Sequence, residues 1–103
     1  MIDLDVKHFF SSGVYAKQMT LDSGNYALTH KHNYDHLSIL SKGIALVEFN
    51  GIGIEYSAPA CIEIKAGVEH KITAIKDTVW FCIHATNVTD IEEIDSTLID
   101  KNA

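Results

Sequence analysis

Residues 24–43 read GNYALTHKHNYDHLSILSKG, and the spacing within this stretch governs how the rest of the chain is understood. His30 and His32 stand two apart in a β-prone run, so on a strand their side chains leave the same face. Tyr26 and Leu28 share that parity, which makes the face mainly apolar and predicts that it points inward. Two imidazoles side by side in an apolar interior are costly unless their nitrogens are satisfied. A divalent cation satisfies them, taking one ring nitrogen of each and leaving the other to donate a hydrogen bond. His36 follows the short link Asn33-Tyr34-Asp35 and can turn back toward the same point. His70 opens a later apolar run in which Ile72 and Ala74 share its face.

The composition narrows what such a site can serve. The chain has 103 residues, enough for one domain, with 47% hydrophobic and 21% charged residues and a single proline. Net charge is −6, and all eight basic residues are lysines. An acidic chain without arginine excludes a nucleic-acid partner, where cationic contacts to phosphate dominate affinity. It also lacks the planar fork that grips a carboxylate or phosphate at two points. No run reaches the roughly 18 apolar residues of a membrane helix, so no membrane partner is expected. The N-terminus has no basic region ahead of an apolar run, which predicts a cytoplasmic location. Cys61 and Cys82 form no Cys-x-x-Cys pair and are expected to be reduced, buried thiols.

Outside the histidine stretch, short β-rich runs alternate with turn signals. Strands are expected at 13–21, 25–32, 37–40, 44–49, 53–56, 61–64, 70–75 and 79–86. Asn50-Gly51 is a strong hairpin signal, because both residues tolerate positive φ. Strands this short and this regularly spaced predict an all-β sandwich or barrel. The C-terminus departs from the pattern: Thr89 to Glu92 reads as a capping box, and Ile91, Ile94 and Leu98 recur at helical spacing. A short helix over about 90–99 is expected to lie over an open barrel end or on a second subunit. The whole chain, 1–103, reads as a single domain with its barrel over about 13–87.

The motifs resemble those of the cupin superfamily. Its first motif asks for Gly, five residues, His-x-His, three or four residues, Glu, six residues, Gly. Here Gly24, His30, His32, His36 and Gly43 meet every spacing, with His36 where Glu is usual. The second motif is matched in Gly67-Val68-Glu69-His70, although Lys65 replaces its Pro, Ala74 its Asn and Pro59 its earlier Gly. The resemblance implies a jelly-roll barrel (a double-stranded β-helix) enclosing a metal, with His30, His32 and His70 as ligands and His36 at the fourth position. It also implies a homodimer. The family spans dioxygenases, isomerases, lyases and non-catalytic binding domains, so fold and metal do not name a reaction.

Four neutral imidazoles would leave a divalent metal its full charge, favouring a strong Lewis acid and a transition metal: Fe, Mn, Ni or Zn. A tetrahedral four-histidine site is closed, whereas five or six coordination leaves room for water, oxygen or a chelating substrate; His36 could also stand aside as a base. The expected pocket lining is Tyr26, Leu28, Ser38 and Ile72, with Tyr34 near the mouth. Asp35 and Glu69 flank ligand positions and are candidates for orienting an imidazole. Along 79–86, Trp80, Cys82 and His84 alternate with Phe81, Ile83 and Ala85, and the outward or interface placement of Trp80 and His84 is preferred. Two functions follow: a metal-dependent enzyme of dioxygenase or isomerase/lyase type on a small oxygenated molecule, or a non-catalytic, metal-stabilised binding or assembly module. No catalytic residue is assigned.

Overall fold

The computed structural model describes residues 6–28 and 34–86. Nine strands run β1 (Lys7–Ser11), β2 (Val14–Leu21), β3 (Tyr26–Leu28), β4 (His36–Lys42), β5 (Ile44–Phe49), β6 (Ile52–Ser57), β7 (Ala60–Ile64), β8 (Lys71–Ala74) and β9 (Thr78–Ala85). They form a five-stranded sheet in the order β1-β2-β9-β4-β7 and a four-stranded sheet in the order β3-β8-β5-β6. Every pairing is antiparallel, giving the jelly roll that the strand spacing and the motifs led us to expect. The expected C-terminal helix, over about 90–99, lies outside the described residues.

Turn chemistry sets the registers. Asn50 (φ 49°) and Gly51 (φ 75°) both take positive φ between Phe49 and Ile52, as a two-residue hairpin requires. Gly43 (φ 91°) reverses the chain between β4 and β5, and there a side chain is excluded twice over. A Cβ would be strained by the backbone and would run into the carbonyl oxygen of Asp77. Thr78 crosses the same corner, its hydroxyl donating to the carbonyls of Ile44 (3.2 Å) and Lys76 (2.8 Å).

The core fills the space between the sheets. Met19 and Leu21 of β2, Leu40 of β4, Ile62 and Ile64 of β7, and Trp80 and Cys82 of β9 meet Ala27, Ala45, Val47, Ile72 and Ala74 from the other sheet. Two parities differ from expectation. Trp80, Cys82 and His84 point inward and are buried, while Phe81 and Ile83 take the outer face. Both faces of β9 are apolar; β9 is a central strand, and pairing with the buried rows of β2 and β4 decides which face is core. Cys61 is exposed on β7 and Cys82 is buried, so the pair is reduced as expected but only one thiol is interior. The sheet also begins earlier than the sequence indicated, because Lys7–Ser11 adds to β2 as an edge strand.

Glycine substitutions separate strain from crowding. Gly24 also has positive φ (89°), but open space surrounds its Cβ position. Gly24→Ala should cost about 1 kcal/mol and Gly43→Ala about 3 kcal/mol or more, measured by urea unfolding. Equal losses would contradict the packing at Gly43.

Candidate metal centre

The chain reversal at Gly43 places the start of β4 and the end of β5 at one end of the barrel. Since β5 and β8 are antiparallel, the start of β8 lies there too. His36 opens β4 and His70 immediately precedes β8, so both buried imidazoles belong to this end.

His70 is oriented as a ligand would be. Its Nδ1 lies 3.0 Å from the carbonyl oxygen of Val68, a donor–acceptor pair two residues apart in the Gly67 turn. An Nδ1–H donated there fixes the tautomer with the lone pair on Nε2, the arrangement common to metal-bound histidines. Phe49 packs against the ring, with centroids 4.9 Å apart, and limits its rotation. His36 is held differently. Its Nε2 is 3.4 Å from the Ser38 hydroxyl, and its ring lies 4.3 Å from that of His84. The β4–β9 register, Leu37 opposite Ile83 and Ser38 opposite Cys82, sets these two imidazoles across from one another.

An aromatic row continues beyond His84. Tyr15, directly opposite it on β2, stacks on its ring at 5.9 Å, and Phe10 of β1 stacks on Tyr15 at 5.0 Å. His8 Nδ1 sits 2.6 Å from the Tyr15 hydroxyl and fixes its far end. From sequence, an inward His84 is the less favoured of two placements, and nothing groups His8 or Tyr15 with the site. Their signal is the inward parity of β2 and β9, which becomes visible only once the two strands are paired.

The expected site residues fall into three groups. His36, His70, Ser38 and Ile72 are buried in the interior. Tyr26 and Leu28 are corrections: they are 46% and 54% exposed, and Ala27 between them is the buried residue of β3. Tyr26 and Leu28 pair with Thr73 and Lys71 on the outer face, where the Lys71 ammonium lies 4.5 Å from the Tyr26 ring centre. Ala27 pairs with buried Ile72 in the same sheet, so the small residue, and not its larger neighbours, shares the core face. His30 and His32 lie outside the described residues. Among the described residues, no three His, Cys, Asp or Glu side chains gather as a metal cage.

Among the described residues, Asp35 is bonded to Ala66 and Lys65 rather than to an imidazole. Its carboxylate accepts the Ala66 N–H at 2.8 Å and lies 3.6 Å from Lys65 Nζ, which also pairs with Glu63 at 2.7 Å. The Ala66 hydrogen bond first, and Lys65 after it, hold this carboxyl below its ordinary range. Asp35 therefore ties the approach to β4 to the turn after β7. Tyr34 beside it is exposed.

The donor chemistry of this end fits a transition metal in one respect that the structure shows directly: a buried imidazole whose outer nitrogen is already committed to a backbone carbonyl. No family model matches the chain, and no curated protein matches it. Solved structures do. A cupin-2 domain protein from Shewanella frigidimarina superposes with a TM-score of 0.65 at 18% identity over 79% of each chain. KdgF from Halomonas sp. does so at 0.67 and 16% identity, over 78% of this chain and 77% of its own. Salicylate 1,2-dioxygenase from Pseudoaminobacter salicylatoxidans, solved as adducts with gentisate, gives 0.72 at 13% identity, covering 90% of this chain but 27% of that one. The architecture is the cupin fold. Among the described residues no helix is long and apolar enough to cross a membrane.

The two thiols should differ sharply in reactivity. Burial pushes the Cys82 thiol above its ordinary 9.0, while the nearby Ser38 hydroxyl (3.9 Å) and Lys17 act weakly the other way. Iodoacetamide should modify Cys61 in the folded protein and reach Cys82 only on unfolding. Because the folded-state value is raised, the stabilisation from Cys82 is present below about pH 9.0 and is lost as pH rises beyond it. A Cys82→Ala variant should show a flatter fall in stability above that pH; an unchanged slope would contradict the burial.

Proposed function

We propose that this chain is a metal-dependent cupin enzyme acting on a small oxygenated molecule, of dioxygenase or isomerase/lyase type. The ligands in this proposal are His30, His32, His36 and His70. The observation that supports it best is the buried His70 imidazole, with Nδ1 held by the Val68 carbonyl so that Nε2 is the ligating nitrogen. A bound Fe, Mn, Ni or Zn would supply Lewis acidity toward a carbonyl or enediolate oxygen, or a centre for dioxygen. Around it, Phe49 fixes the His70 ring, Ser38 and His84 fix the His36 ring, and Ile72 contributes an apolar wall. A chain with no arginine suits a neutral or weakly anionic substrate that reaches the site through its own oxygen atoms. The same proposal has the chain acting in the cytoplasm as a homodimer, in keeping with the resemblance.

Metal content after loading with each of the four ions, followed by assay of dioxygen uptake and of isomerase activity, tests this reading. His70→Ala should lower metal affinity at least about 100-fold. Loss of folding on chelation, with no exchangeable water on the metal, would instead identify a metal-stabilised module. Unchanged metal content in His70→Ala would overturn the ligand assignment.

A further inference from the structure

The outer face of the five-stranded sheet carries an apolar surface that neither the barrel core nor the candidate metal centre uses. Its main row crosses four strands, Phe9, Ala16, Ile83 and Leu37, each opposite the next. Ile39 and Phe81 form the row beneath it. Leu37 is 55% exposed, Phe9 50% and Val14 42%. At the end where β9 finishes, this surface deepens into a groove of about 300 Å³ between Val14, Leu37, Ile83, Ala85 and Glu63, whose wall also includes Asp35, His36 and His84.

We propose that residues 87–103 of the same chain dock into this groove, with Ile91, Ile94 and Leu98 seated on Leu37, Ile83 and Val14. Chain geometry and charge carry the inference. Ala85 lines the groove, and the Thr86 N–H donates to the Gly13 carbonyl at 3.0 Å, so the chain leaves β9 at the groove's edge beside Val14. Three linking residues, 87–89, reach at most about 10 Å. A helix over 90–99 is about 15 Å long, enough to cross β2, β9 and β4, which together span about 10 Å. The acidic residues of the segment, Asp90, Glu92, Glu93, Asp95 and Asp100, fall off the Ile91–Ile94–Leu98 stripe. The two carboxylates on the groove wall, Glu63 and Asp35, already share Lys65, at 2.7 and 3.6 Å, which offsets their repulsion of the segment. Tethering on so short a link presents the stripe at millimolar effective concentration, an advantage no second copy has.

The docked segment lies directly behind the strands that bear His36 and His84 and covers the one deep part of an otherwise exposed apolar face. The groove borders the candidate metal centre, since His36 and His84 also line it, but the contacts that the test reads, at Leu37 and Ile83, need no metal.

Methyl NOE spectra of the full chain, with Ile, Leu and Val methyls labelled, test it. A mixture of labelled and unlabelled chains separates contacts within a copy from contacts between copies. The expected result is cross-peaks within one copy from Ile94 and Leu98 to Leu37 and Ile83, lost in the double variant I94D/L98D while Ile72 shifts stay unchanged. Cross-peaks from Leu37 to Leu37 or Ile39 of a second copy would overturn the proposal and make the face a dimer interface. Docking of the segment onto another copy, or Leu37 methyls that meet no residue of 87–103, would overturn it as well. The wild-type spectra decide the question even if the double variant does not fold.

Discussion

Everything at the working end of this barrel depends on how β9 is held between β2 and β4. Strand side chains alternate, so a slip of one residue would turn Trp80, Cys82 and His84 out to solvent and Phe81 and Ile83 into the core. Both sets are apolar enough to be buried, so β9's own composition does not choose. The choice comes from its neighbours. Met19 opposite Trp80, Leu40 opposite Trp80 and Ser38 opposite Cys82 give one register in which buried rows meet buried rows. The corner at Gly43, where Thr78 is bonded to Ile44, pins the far end of the same strand.

With that register set, the chemistry of the end follows. His84 is brought beside His36, Tyr15 beside His84, and the Tyr15 hydroxyl to His8. Rings stacked across adjacent strands restrict one another's rotation, so His36 is held by packing more than by its long contact to Ser38. His70, on the opposite sheet, is held by a backbone carbonyl. His36 and His70 are thus fixed by independent means, and a substitution in the β2–β9 row should disturb the first without loosening the second.

Much of the fold was legible in the sequence because turns are local. Asn50-Gly51 and Gly43 announce their positive φ, and the runs between them are too short and too β-branched for helices. Inward and outward faces were legible only where one face is clearly polar. For Tyr26 and Leu28, apolarity pointed inward, yet Ala27 is the core residue because the β3–β8 register sets it beside buried Ile72 on the inner face. For β9, apolar residues on both faces left no local signal. His84 was given the wrong face and Tyr15 was missed for that reason: their position is set by pairings between residues almost 70 apart in the chain, which no spacing rule encodes. The spacing of the four histidines is itself a motif in the sequence; of the four, His36 and His70 lie among the described residues, and both are buried at one end of the barrel.

The central claim is that this end of the barrel holds a transition metal through imidazoles. X-ray absorption at the metal edge of the loaded full-length chain tests it most directly, because imidazole rings give distinctive multiple scattering that can be counted. The account predicts nitrogen ligation at about 2.0–2.2 Å with three or four imidazoles per metal. A first shell of oxygen or sulfur without imidazole scattering, or a chain that takes up no metal, would contradict it.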